Sequence, residues 1–205
     1  ATRNVVDACV GTGTELLHMS TDLVLDGKCS PYAEPAEPAP VNDYGRWKAK
    51  AECYVRERLP DAAVIRTSLI TSFDPPDPRT AWVASGLRGD APVTLFVDEI
   101  RTPILVTDLA VQILEIITLP RAERGGVWHL AGPEALSRFT IGALTAAALG
   151  LPTSRLRAGR SGEGGAPRPR DLRLLTTRAD ERLRHRARPI SEAAAAVVAS
   201  RGDRD

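Results

Sequence analysis

Tyr44 and Lys48 lie four residues apart in a stretch patterned as a helix, so both side chains project from one face and can meet the same ligand. A tyrosine, with an ordinary pKa of about 10, is a reluctant proton donor or acceptor near neutrality until a positive charge stabilises its phenolate. Lys48 can supply that charge. Upstream, Thr14-Glu15-Leu16-Leu17-His18-Met19 is a short, mostly apolar run ending at Ser20-Thr21. This is the pattern of a buried parallel strand that delivers two hydroxyls at its carboxyl end, the edge where open α/β sheets bind ligands. A hydroxyl, a phenol and an ammonium converging there suit proton transfer to or from a carbonyl or alcohol during hydride transfer. Purely structural roles fit the same residues: a half-buried helix aromatic for Tyr44, a solvated cation for Lys48, a turn cap for Thr21.

The elements that must position these groups follow from periodicity and breakers. Val5, Val6, Cys9 and Val10 have helical spacing, and Gly11-Thr12-Gly13 ends that run. The two glycines follow a helix and precede a strand, so they read as a helix stop and not as a phosphate loop; no glycine fingerprint occupies a strand-to-helix turn elsewhere. Residues 28–43 carry Pro31, Pro35, Pro38 and Pro40 and form a loop. A helix is expected from Asp43 to Leu59, with Trp47, Ala51, Val55 and Leu59 as its core stripe. Ala62 to Ser68 reads as the next buried strand. Beyond a proline-rich breaker come a helix over 80–87, a strand over 92–96, a loop over 98–103 and a helix capped by Asp108. A strand over 127–132, a helix capped by Ser137 and an alanine-rich terminal helix from Ser191 complete the alternation.

Composition narrows the classes. A net charge of +1 gives no global reason for nucleic-acid binding, and no window approaches the roughly 20 apolar residues of a membrane span. Cys9, Cys29 and Cys53 are odd in number and lack metal-ligand spacing, as expected of reduced thiols in a cytoplasm with no metal site. Arginine heavily outnumbers lysine, a usage that suggests a GC-rich bacterial gene. Between Arg155 and Arg188 stand eleven arginines against Glu163, Asp171, Asp180 and Glu181, without aromatics to stack bases. Solvated arginines are the expectation there, and the glycine- and proline-rich span 162–169 is expected to be mobile. His18 and His129, flanked by apolar residues, read as core histidines.

Six segments in order resemble the extended short-chain dehydrogenase/reductases, with spacing most similar to the dTDP-4-dehydrorhamnose reductase branch. They are Ser20-Thr21-Asp22 with Asp26-Gly27, Tyr44-x-x-x-Lys48, Arg66-Thr67-Ser68, Arg101-Thr102-Pro103-Ile104, Asp108-Leu109-Ala110 and His129-Leu130-Ala131-Gly132. The resemblance implies a partial Rossmann-like, doubly wound parallel sheet over residues 1–72. A small α/β substrate-binding region would follow over 73–205, with a return to the sheet. It implies NADPH or NADH as cofactor and reduction of a keto group on a nucleotide-linked sugar, as in dTDP-rhamnose biosynthesis. Tyr44 would be the acid/base, Lys48 would tune it and hold the nicotinamide ribose, and Thr21 would bond the reacting oxygen. Ser20, Ser68 and Leu69 would join the cofactor contacts, and Asp22 and Arg101 the substrate contacts.

Arg101 suits a diphosphate through its planar fork, or an ion pair with Asp98 or Glu99. The family's aromatic residues are replaced here by Leu25 and Leu69, which removes stacking surface and leaves the sugar open. Without the upstream glycine-rich turn the chain is expected to be an incomplete copy with an exposed edge on the strand ending at Thr21. A homodimer stays open. The alternative, resembling the regulatory beta subunit of methionine adenosyltransferase, is a non-catalytic module that binds the same ligands without turnover.

Overall fold

The computed structural model describes residues 1–89, 92–162 and 167–202. Helix α1 (Thr2–Thr12) ends at Gly13, whose φ of 69° lets the chain turn sharply into β1 (Leu17–Met19). A 3₁₀ turn at Asp22–Val24 and the proline loop lead to α2 (Asp43–Arg58), β2 (Ala63–Thr67) and β3 (Ile70–Thr71). Then come α3 (Pro78–Arg88), β4 (Val93–Phe96), β5 (Ile100–Arg101), β6 (Ile104–Leu105), α4 (Val106–Thr118) and α5 (Arg121–Arg124). The remainder is β7 (Gly126–Leu130), β8 (Leu136–Ser137), α6 (Arg138–Ala148), β9 (Leu156–Gly159), α7 (Thr177–Arg182) and α8 (Ile190–Gly202). Half of the expected mobile segment, 163–166, lies outside the described residues.

Strands β1, β2 and β7 pair in parallel with β2 in the centre, His18 opposite Val64 and Ile65 opposite Trp128. Alternate side chains of β2 go to opposite faces. Val64 packs with Val6 of α1 and Val55 of α2, while Ala63 and Ile65 pack with Leu109 and Ile116 of α4 and Ala179 of α7. Helices thus cover both faces, the expected doubly wound α/β arrangement. A second core joins Val83 and Leu87 of α3, Val93 and Leu95 of β4, Ala146 of α6 and Leu156 of β9.

Four expectations are corrected. Strand β1 is half-buried, because it sits at one edge of the sheet and pairs with β2 alone among the described residues. The stretch 98–103 holds strand β5, paired antiparallel with β8 at Ile100 and Ser137. Asp108 does not cap α4, which starts two residues earlier. It lies buried in the first turn, accepting from His185 Nε2 at 3.0 Å and from the Arg188 backbone N–H at 2.8 Å, so it clamps the chain that precedes α8. On α2, Val55 is fully buried but Trp47 is 69% exposed, with Lys50 Nζ 4.8 Å from its ring centroid. Residues four apart drift by about 40° per step around a helix, so a stripe carried through three steps leaves the core. Ser137 caps α6 as expected, accepting from Thr140 N at 2.9 Å.

His129 is the core histidine anticipated: fully buried, with Nδ1 3.0 Å from the Leu175 carbonyl oxygen and Nε2 without a hydrogen-bond partner. Burial, then the Arg66 guanidinium, push its pKa down to about 4. The unfolded chain therefore takes up a proton on this ring below about pH 6.5 while the folded one does not, so stability falls as pH drops from there towards 4. The expected loss is about 2 kcal/mol between pH 6.5 and 5. Urea midpoints at the two pH values, compared with those of His129→Gln, check it: the variant should lose most of the slope.

Candidate active site

At the carboxyl end of β1 the chain packs against the start of α2 through two backbone contacts. Lys48 Nζ donates to the Met19 carbonyl at 3.0 Å. One turn earlier on the same helix, Gly45 lies so close to the 3₁₀ turn that a Cβ would stand 2.1 Å from the Leu23 carbonyl oxygen. Only glycine permits that approach. Asn42 caps α2 by accepting from Gly45 N at 2.8 Å, which fixes the orientation of the first turn. Tyr44, 53% exposed, sits on that turn with its hydroxyl free of partners among the described residues. The helix face bearing the phenol and the ammonium is thus held against the strand end from which Thr21 departs.

The hydroxyls and charges around it are already engaged. Ser20 is buried and its Oγ donates to Glu52 Oε1 at 2.5 Å, so this hydroxyl is engaged within the core. Glu52 in turn receives Arg66 NH2 at 2.8 Å, both side chains being 1% exposed, and Arg66 NH1 donates to the Ala36 carbonyl at 2.7 Å. Thr21 accepts from Leu23 N and donates to Asp22 Oδ1, each at 3.2 Å, which is the turn-capping geometry. Asp22 is buried, a burial that pushes its carboxyl above the usual range against the opposing pull of Arg101, Ser68 and Thr21. Ser68 Oγ donates to Asp22 Oδ2 at 2.8 Å and accepts from Thr102 N at 3.3 Å.

Arg101 departs from the diphosphate expectation. It is buried, and its guanidinium donates to the carbonyls of Ile100 at 2.7 Å, Arg170 at 3.1 Å and Pro169 at 3.0 Å. Glu99 lies 3.8 Å and Asp22 3.9 Å away. The fork that would clasp a phosphate is spent on the 169–170 backbone. Of the two sequence readings, the ion pair with Glu99 matches the geometry, and Asp98 goes instead to Ser161, accepting from its backbone N–H at 2.7 Å.

Beside this cluster opens a cleft of about 520 Å³ between the parallel sheet and the second core. Asp22, Asn42 and Leu69 line one side; Arg79 and Trp82 of α3, Phe96 of β4 and Arg138 of α6 line the other. Burial, then Arg79, pull the Arg138 guanidinium down to about 10. No side-chain hydrogen bond or ion pair engages Arg79 or Arg138 among the described residues, so the cleft carries cationic charge in excess of its internal partners. Another cavity, of about 280 Å³ beside Cys9 and Leu59, sits at the amino ends of the strands, away from this chemistry.

A family model, the RmlD substrate binding domain, matches residues 1–202. The chain belongs to this family. The dTDP-4-dehydrorhamnose reductase of Mycolicibacterium smegmatis is 29% identical over 210 residues, covering 98% of this chain and 63% of that protein. Among solved structures, a hypothetical dTDP-4-dehydrorhamnose reductase from Sulfolobus tokodaii superposes with a TM-score of 0.76 at 30% identity, covering 92% of this chain and 65% of that one. The Bacillus anthracis dTDP-4-dehydrorhamnose reductase in complex with NADP gives a TM-score of 0.83 at 23% identity, covering 97% and 70%, and likewise shares the fold. The chain therefore spans about two-thirds of the length of these relatives.

Motif spacing singled out Thr21, Tyr44 and Lys48 but passed over Arg79, Trp82, Phe96 and Arg138. No local signal marks those four, which come from α3, β4 and the distant α6. Glu52 did leave a trace: it lies four residues after Lys48 and eight after Tyr44. A charge in the middle of Val64-Ile65-Arg66-Thr67 also demands a buried partner.

Proposed function

We propose that this chain takes part in the NAD(P)H-dependent reduction of a keto group on a nucleotide-linked sugar, in the manner of dTDP-4-dehydrorhamnose reductases, and does so in a bacterial cytoplasm. The observation that carries the reading is the seating of α2 on the end of β1, with Lys48 on the Met19 carbonyl, Gly45 on the Leu23 carbonyl and the cationic cleft alongside. The residues present fit the nicotinamide end of NADPH or NADH. Lys48 spends one of its three N–H donors on Met19 and keeps two for ribose hydroxyls, and Leu69 offers an apolar wall. When bound, the cofactor supplies the hydride.

The other steps belong to this chain's side chains. Tyr44 donates its phenolic proton to the oxygen that becomes the new alcohol, and Lys48 lends positive charge on the same helix face. Thr21 presents its hydroxyl at the strand end. Arg79 and Arg138, whose side chains make no hydrogen bond or ion pair among the described residues, take the diphosphate role, while Arg101 in the same cleft is committed to backbone carbonyls. Ser20 and Ser68 act from behind, locking the strand ends through Glu52 and Asp22.

The test is consumption of NADPH or NADH by the purified chain with dTDP-4-dehydrorhamnose, alongside calorimetric titration with dTDP. Turnover supports the reductase. Tight dTDP binding with no turnover identifies a non-catalytic module instead, and neither binding nor turnover overturns both.

A further inference from the structure

We infer that Trp82 is the stacking platform for the nucleobase of the nucleotide-linked ligand. The inference rests on the sugar-nucleotide reading of the cleft and assigns it a residue. On α3 the buried positions are Thr80, Val83, Ala84 and Leu87, and Trp82 stands off that stripe with 56% of its surface exposed. A large aromatic that joins neither core described above yet lines a 520 Å³ cleft leaves one broad apolar face open to whatever enters. Its indole N–H has no hydrogen-bond partner among the described residues.

The rest of the cleft orients the ligand. The reacting sugar must lie at the side lined by Asp22 and Leu69, next to Thr21 and the first turn of α2. Arg79 and Arg138, whose side chains make no hydrogen bond or ion pair among the described residues, favour the diphosphate between the two walls. The opposite end of the ligand, the base, is then brought to the α3 wall. Arg79 and Trp82 lie three apart on α3, on neighbouring positions of the helix surface, so phosphate and base contacts come from adjacent side chains. Phe96, on the same side of the cleft, already carries the Arg168 guanidinium 5.4 Å from its ring centroid, which leaves Trp82 as the open ring. Every base has a π-face, so this contact supplies affinity while discriminating little between thymine and uracil.

Fluorescence and calorimetry of the full chain test the assignment, with dTDP and inorganic pyrophosphate as ligands. Trp128 is buried and Trp47 lies on α2 outside the cleft lining, so Trp47→Phe makes Trp82 the one exposed tryptophan. In that background dTDP is expected to quench emission and pyrophosphate to leave it nearly unchanged. Trp82→Ala should weaken dTDP binding about tenfold or more while pyrophosphate binds as before, and Trp82→Phe should recover much of the loss. Circular dichroism and the urea midpoint confirm that each variant is folded. Equal dTDP affinity in wild type and Trp82→Ala overturns the assignment and leaves the sugar-nucleotide reading standing. Absence of dTDP binding to the wild-type chain overturns both.

Discussion

Arg66→Ala is expected to destabilise the chain by about 3–5 kcal/mol, because it strands the Glu52 carboxylate in the core. Both side chains are 1% exposed, and Arg66 meets Glu52 with Nε at 3.1 Å and NH2 at 2.8 Å. Truncation also removes the donor to the Ala36 carbonyl, so the proline loop loses its tie to β2. Replacing both partners by apolar residues of similar volume, Arg66→Met with Glu52→Leu, should restore most of the stability, since a buried pair contributes little beyond the cost of desolvating it. The double variant still leaves Ser20 Oγ without its acceptor, which sets a residual cost of about 1–3 kcal/mol. Urea denaturation of the two single variants and the double closes the cycle. Additive losses would show that Glu52 and Arg66 do not act as a pair.

Tyr44→Phe is expected to lower kcat by about 10² to 10⁴-fold with KM nearly unchanged, the signature of a proton donor that acts in the transition state. The substitution removes one hydroxyl that has no partner among the described residues, from a side chain 53% exposed. Stability should therefore stay within about 0.5 kcal/mol of the wild type. Calorimetry should find dTDP binding unaltered, because Tyr44 stands outside the cleft lining. Undiminished turnover by Tyr44→Phe would remove the phenol from the mechanism and leave the cleft assignments untouched.

The two expectations differ in how visible they were before folding. The placement of Tyr44 and Lys48 on one helix and of Thr21 just past a strand end could be read because helical spacing and a strand end are local facts, set within a few residues by sterics and periodicity. The same reasoning overreached on α2, where a stripe drawn through Trp47 ignored the drift of a four-residue repeat. It erred similarly at Asp108: a carboxylate beside a helix start looks like a cap until the distant Arg188 and His185 arrive to claim it. Arg101 shows the limit most clearly. Its chemistry as a planar donor fork was legible, but two of the three carbonyls that fork meets lie some 70 positions later in the chain.

The sequence by itself determined the alternation of strands and helices and the placement of Tyr44 and Lys48 on one helix and Thr21 at a strand end, because each depends on spacing along one element. The doubly wound class came from the order of motifs that resembles the reductase family. The tertiary structure alone decided that Ser20 faces Glu52, that Arg101 is spent on backbone, and that Arg79, Trp82 and Arg138 share one cleft. Those outcomes turn on which charges and carbonyls are brought within hydrogen-bonding distance when separate cores pack together, and that distance is set by the whole fold.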